Sequence, residues 1–471
     1  MKYIAVMLAL LLAGCAPAID PGASMMQRAA LPTELVAANP AVVPGRKELP
    51  VAAWWQEFHE PGLDRLLDIA LAGNPGVLEA AARLKSAQAT VMRTQSLTGL
   101  HVDSQLNIQR QELSKNGNHD IYNGKTATIA NLDPLAVSYH LDFWHRDAEI
   151  IAASHSAEQL TRAQYRQAAL MLSSAVIKTY FALQTARQLA SAEAEIVARA
   201  TEKLRLQNEA VQAGISPTSV GIIQNRDLID AQNALTALKK SNKSLTFALL
   251  ELLGKEPADL LTAEPAALPE PRRFKIPARI GLDAVAQRPD IQAALWNVRR
   301  QLHLVKVAQA AYYPNIDLFA IGGLNSIGLT KLLGPGSTTY AFGPALDLPI
   351  FESGALEGQF HENEAEYDAA VHAYNRILLA ALRQIADALS GLQYSRTQLD
   401  DTKAMLALRV RQADIAESGF RAGVTGKLPY LDAEIGICRE KMLNMEQNLD
   451  WLNSITDTAT ALGGGFARWP A

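Results

Sequence analysis

The sequence predicts an α+β membrane protein made of two tandem repeats, each joining a β-hairpin to a very long helical hairpin. Three observations carry that expectation. One register occurs twice along the chain, two proline-free stretches far exceed globular helix lengths, and segments of apolar–polar alternation precede each long stretch.

Composition narrows the class first. The 471-residue chain is 49% apolar and 20% charged, with a formal net charge of −4. No basic excess exists to neutralise phosphates, which argues against nucleic acid as a partner. Mean hydropathy near zero is too polar for a bundle of membrane-spanning helices. The longest clean apolar run, Tyr3–Ala13, falls short of the roughly 18–20 residues that a spanning helix needs. Two cysteines give no disulfide framework.

The N-terminus reads as an export signal. Lys2 supplies the positive end, Tyr3–Ala13 the apolar core, and Leu12-Ala13-Gly14-Cys15 places small residues directly before a thiol. This pattern predicts a signal peptide over 1–14 and a lipid-modified Cys15, with Ala16 in place of the Asp that retains lipoproteins at the inner membrane. Residues 15–50 are rich in Pro, Ala and Gly and read as a lipid-anchored tether.

The repeat follows. The segment from Asn74-Pro75 and that from Arg288-Pro289 superpose without a gap, pairing Pro75 with Pro289 and Asp103 with Asp317. Further on, Leu141-Asp142 matches Leu346-Asp347, Ala213-Gly214-Ile215 matches Ala422-Gly423-Val424, and Leu253-Gly254 matches Leu462-Gly463. The predicted repeats occupy 51–256 and 278–465. Residues 257–277, with five prolines, connect them, and 466–471 form a tail.

Within each repeat the strands come first. Val102, Leu106 and Ile108 alternate with Asp103, Gln105 and Asn107. Val137, Tyr139, Leu141 and Phe143 alternate with Ser138, His140 and Asp142. Tyr340, Phe342, Leu346 and Leu348 do the same in the second repeat. Period two with one apolar face predicts strands, and Val102–Arg110 has about the length a tilted strand needs to cross a bilayer. Residues 111–125 and 324–338 read as loops. Four strands cannot close a barrel or satisfy their edges in lipid, so the chain must oligomerise, and three copies would supply twelve strands. Four amphipathic strands on a small soluble sheet are the alternative.

The long stretches come next. His145 to Ala213 holds neither proline nor interior glycine and predicts one helix of about 68 residues, roughly 100 Å long. Its counterpart runs from about Ala355 to Phe420, interrupted by Gly358, Gly391 and Gly419. Gly214 and Gly423 mark tight tips, and returning helices of about 40 residues follow. Leu228, Ala231, Leu235, Leu238, Asn242, Leu245, Leu249 and Leu252 form a three-four seam, as do Leu431, Ile435, Cys438, Met442, Met445, Leu449 and Leu452.

These residues resemble the outer-membrane factor family, the TolC- and OprM-like efflux channels, in its NodT-type lipoprotein branch. The resemblance covers nearly the whole mature chain. It rests on Trp54-Trp55 with Phe58, Pro61 and Leu63, on Arg288-Pro289-Asp290 and on Tyr313-Pro314-Asn315-Ile316. Leu431-Asp432-Ala433-Glu434 and Ala461-Leu462-Gly463-Gly464-Gly465 complete it. Glu60-Pro61 stands where Asp-Pro is usual, and Ile435 where an arginine is common.

The resemblance implies a homotrimer with a twelve-stranded barrel in the outer membrane and a periplasmic tunnel of coiled-coil helices. It implies a passive conduit for drugs and other small molecules, fed by an inner-membrane pump through a periplasmic adaptor. No catalytic residue, metal site or cofactor is expected; no GxSxG, P-loop or HExxH occurs. The periplasmic gate is expected at Asp432 and Leu428, where three copies of Asp432 would crowd, raise one another's pKa and attract cations. Adaptor docking is expected at the tips Gln212, Ala213, Gly214, Ile215, Arg421, Ala422, Gly423 and Val424. A lipid-anchored coiled-coil scaffold, or a periplasmic adaptor without pore activity, is the alternative.

Overall fold

A computed structural model describes residues 54–116, 124–256 and 285–464. Cys15, the signal and tether segments, the connector 257–277 and the tail 466–471 lie outside the described residues. After a 3-10 turn, Trp54–Phe58, come α1 (Pro61–Gly73) and α2 (Pro75–Leu97). The first repeat continues with β1 (His101–Glu112), β2 (Thr126–His140), α3 (Arg146–Gln212) and α4 (Thr218–Leu252). The second holds α5 (Pro289–Ala310), β3 (Asn315–Ile327), β4 (Thr338–Asp347), α6 (Ala355–Arg421) and α7 (Lys427–Ala461).

The helices follow their local chemistry. α3 and α6 each run 67 residues without a break, about 100 Å at 1.5 Å per residue. Gly358, Gly391 and Gly419 do not interrupt α6, because packing outweighs a propensity penalty of about 1 kcal/mol per glycine. α4 and α7 are 35 residues each, shorter than the expected 40, since both start only after the tip loop closes. Every residue of the two predicted seams is buried or half-buried. No described helix is long and apolar enough to cross a membrane.

The duplication extends to atomic detail. After α3, Ile215 N–H donates to Ala210 O and Gly214 N–H to Val211 O. After α6, Val424 N–H donates to Gly419 O and Gly423 N–H to Phe420 O. This pair of hydrogen bonds closes a helix only when the glycine adopts positive φ, here 69° and 70°. The ends of α4 and α7 repeat the motif at Gly254 and Gly463. The residue before each repeat's proline also plays one part twice. Asn74 Nδ2 donates to Leu252 O at 3.0 Å, and Arg288 Nη1 to Ala461 O at 2.7 Å. Each ties the entry of its repeat to the last turn of that repeat's returning helix.

The four strands form one antiparallel sheet in the order β1-β2-β3-β4. The predicted loops are shorter than expected: β1 reaches Glu112 and β3 runs on to Ile327, since Asn325 and Ser326 still pair with β2. β2 ends at His140, because Asp142 then turns to accept the N–H groups of Asp147 and Ala148 and caps α3. β2 carries a bulge between Leu132 and Leu135. Pro134, which has no N–H for the ladder, sits in it.

The chain divides into two compact units. One comprises Arg83–Arg162 and Ala293–Asn375, with the sheet and small cores such as Val305, Ala308 and Phe360. The other comprises the described parts of 54–82, 163–292 and 376–464. Both units draw on both repeats.

Candidate functional site

Two regions hold the residues singled out from sequence: the helix tips and the stretch where α7 runs beside α3. At the tips Gln212 ends α3 and Arg421 ends α6. Ile215 is 81% and Val424 80% exposed, each one residue past its positive-φ glycine. Ala213 and Ala422 are exposed beside them, and Arg421 is bonded back to Glu417 at 2.5 Å. Each tip thus offers an apolar side chain on a rigid backbone turn, not on a loose loop.

α3 and α7 lie antiparallel, and their contacts follow one another along both helices. Lys178 meets Asp457 at 2.5 Å, and the Cys438 thiol points at Glu195 at 3.7 Å. Arg199 faces Glu434 at 3.6 Å, Lys203 meets Asp432 at 2.5 Å, and Lys427 meets Glu202 at 2.8 Å. Tyr430 OH donates to Glu434 at 2.9 Å while its ring stacks on Phe420, 5.7 Å between centroids. Hydrogen bonds from Arg205 and Lys427 hold the Glu202 carboxyl down to about 2.

An apolar knot underlies these charges. Ile196 of α3, Ala231 of α4, and Ile435 and Cys438 of α7 pack together, with Val197 and Met442 against them. Burial, and then Glu195, push the Cys438 thiol up, so it behaves as a small hydrophobe. Leu431 is buried and Leu428, in the first turn of α7, is half-buried. Ile435 packs where a charged latch residue was conceivable; the charged contacts fall instead on Lys427, Asp432 and Glu434. Beside the knot is a cleft of about 380 Å³, lined among others by Lys203, Asp432, Gly436 and Glu440.

Sequence reasoning singles out Asp432 but gives no sign of the residue it pairs with. A single chain gives no signal that Lys203, 229 positions earlier, meets it. The charged positions 195, 199, 202 and 203 do share one helical face, and that spacing was the available clue.

Sequence reasoning also missed a polar group beside the sheet. His140, Asp142 and Asp147 bring one ligand atom each within 4.8 Å of one another. Asp317 accepts from His140 Nδ1 at 2.9 Å, and both Asp142 oxygens are engaged in capping α3. The group therefore acts as a joint between strand and helix. Burial, with Asp142 adding to it, pushes the Asp147 carboxyl up against the pull of His140.

A family model described as outer membrane efflux protein matches residues 66–255 and 282–464. The multidrug resistance outer membrane protein MdtQ of Escherichia coli O157:H7 is 25% identical over 98% of this chain and 97% of its own length. MdtP of Escherichia coli K12 is 27% identical over 89% of this chain and 88% of its own. Among solved structures, the CmeC outer membrane channel of Campylobacter jejuni superposes with a TM-score of 0.84 at 24% identity, covering 96% of this chain and 95% of CmeC. The outer membrane protein VceC of Vibrio cholerae gives 0.80 at 25%, over 89% of this chain and all of VceC.

Proposed function

The chain belongs to the outer membrane efflux protein family, and from that premise we propose that it is the outer-membrane conduit of a tripartite efflux system. It acts as a passive homotrimer that lets drugs and other toxic small molecules pass outward, and it carries no chemistry of its own. Cys15 is its lipid anchor once residues 1–14 are removed. The tips at Gly214 and Gly423 are the docking surface for a periplasmic adaptor, through which an inner-membrane pump supplies the energy. Asp432 and Leu428 narrow the periplasmic entrance, with Lys203 holding Asp432 in the resting state.

The observation that carries this reading is the sheet. Val102, Leu106 and Ile108, Leu135, Val137 and Tyr139, Leu318, and Tyr340, Phe342 and Leu346 fall on one face by the strand register. Nine of these ten are exposed in the single chain, and Val137 is half-buried. From Ile316 to Leu324 the apolar row extends about 26 Å along β3 at ~3.3 Å per residue. Tilted as barrel strands are, it covers about 20 Å of height, near the ~25 Å apolar band of outer-membrane barrels. β1 and β4 are both edges, and each unpaired backbone group costs several kcal/mol in lipid. Three copies joined β4 to β1 remove every edge and give twelve strands.

The test is purification of the lipidated protein in detergent, a native mass measurement, and single-channel recording in planar bilayers. A trimer with discrete conductance is expected. A stable single-copy particle without conductance would overturn the reading in favour of an envelope scaffold. Gene deletion with a panel of drugs and bile salts, then co-purification, identifies the cargo and the pump.

A further inference from the structure

We infer that the segment 465–471, which lies outside the described residues, docks in a cleft at the end of α7 and straps α7 to α6 and α3 of its own chain. The cleft measures about 500 Å³ and lies wholly within the second compact unit. Its walls are α3 near Met171, α6 from Gln384 to Gly391, and α7 from Ser454 to Ala461, with Arg288 and Gly463 at its end. The seat does not depend on conduction.

The space is open because its floor lacks side chains. A Cβ placed on Gly391 would meet only Ser454 Oγ, 4.0 Å away. On the α3 side Met171 is 52% exposed. The charged lining is three carboxylates, Asp290, Asp387 and Asp457, against one guanidinium. That guanidinium, Arg288, is already engaged by Asp290, Gln384 and Ala461 O. Asp387 and Asp457 meet Arg383 and Lys178, but all four groups are more than a third exposed, and pairs this open are weak. The cleft therefore suits an occupant with apolar bulk and one positive charge.

The chain delivers such an occupant at the rim. Gly463 and Gly464 take φ of 86° and 73°, which turns the backbone off the axis of α7 beside the cleft. The next residues are Gly-Phe-Ala-Arg-Trp-Pro-Ala: two aromatics, one cation and no acidic side chain. Pro470 biases Trp469 towards extended backbone. Asp457 lies about 9 Å and Ser454 about 14 Å back along the helix from Gly463. Extended chain covers about 14 Å from Gly464 to Arg468 and about 17 Å to Trp469.

The levels of the three helices then assign each side chain. Lys178 meets Asp457 across the antiparallel pair, so Met171, two turns earlier, stands level with the end of α7 and faces Phe466. Thr458 Oγ1 donates to Ala388 O at 3.3 Å, which sets Asp387 beside Asp457, where Arg468 arrives. Trp469 covers Gly391. A link this short holds the segment at about millimolar effective concentration, which favours it over a neighbouring copy.

The test uses the full chain purified in detergent, with the photo-crosslinking residue p-benzoylphenylalanine replacing Trp469. Irradiation should link it to peptides carrying Gly391 or Ser454, and the product should run as a single chain on a denaturing gel. Links to a second copy, links that miss α6 and α7, or no link at all overturn the inference.

Hydrogen exchange provides a second reading without the probe. Arg468→Gln and Trp469→Ala should each raise amide exchange severalfold at 384–391 and 454–461, and leave the tip of α6 as in the parent. Exchange at the parental rate in both variants overturns the inference.

Discussion

Neutralising two of the three α7 carboxylates that meet α3, by Asp432→Asn together with Glu434→Gln, should lengthen the open state of the proposed channel. Lys203, 16% exposed, lies 2.5 Å from Asp432, which is 56% exposed. Arg199 and Glu434 are 3.6 Å apart and about as accessible. Pairs this open to solvent are worth about 0.2–1 kcal/mol each, so neither substitution alone should move the gate far. Two pairs in each of three protomers, released together, amount to about 1–6 kcal/mol. A shift of about 3 kcal/mol changes the ratio of closed to open states roughly a hundredfold.

Single-channel recording in planar bilayers reads this directly as closed dwell time, with each single variant beside the double. Raising KCl from about 0.1 to 1 M screens exposed pairs. It should shorten the parent's closed times and leave those of the double variant nearly unchanged. Parent-like closed times in the double variant at low salt would refute the latch.

Four further outcomes are expected. Asp432→Ala alone should weaken block by multivalent cations, and block of parental strength would remove Asp432 from the entrance. Arg288 is buried, bidentate to Asp290, and bonded to Gln384 and Ala461 O. Arg288→Ala should cost about 3–5 kcal/mol, against about 1 kcal/mol for Asn74→Ala, as ranked by thermal unfolding in detergent; equal losses would refute the difference in burial. Burial alone would raise the Glu149 carboxyl, but hydrogen bonds from His303 and Lys306 outweigh it and hold it low. A depressed folded-state pKa stabilises above the ordinary carboxylate value and is lost as pH falls below it. Hydrogen exchange at the start of α3 should therefore rise below about pH 4.5, and Glu149→Gln should abolish that dependence. Replacing both tips, Gly214→Val and Gly423→Val with Ile215→Asp and Val424→Asp, should remove drug resistance while the trimer survives; intact resistance would reject the tips as the docking surface.

Much of the fold was legible because its signals are local. Proline and glycine punctuate the chain so sharply that α3 was bounded to within a residue or two, and both tip glycines were located. The offset shared by Gly214 with Gly423 and Gly254 with Gly463 announced four helix ends that prove to be closed by the same pair of backbone bonds. Alternation of period two pointed to β1, β2 and β4; β3 followed only from the repeat, and its far end is fixed by its partner. The family resemblance pointed to Asp432. It did not reveal the neighbour that holds it.

What the sequence determined by itself was the inventory: two repeats, four strands, two helices of exceptional length and the points where each stops. These follow from propensity, periodicity and backbone freedom, which act within a few residues. The tertiary structure decided which elements meet. It set α7 against α3 so that Lys203 faces Asp432, placed Ile435 in an apolar knot, and aligned the strands so that their apolar sides share a face. Those pairings join residues tens to hundreds of positions apart, and packing, not local preference, selects among them.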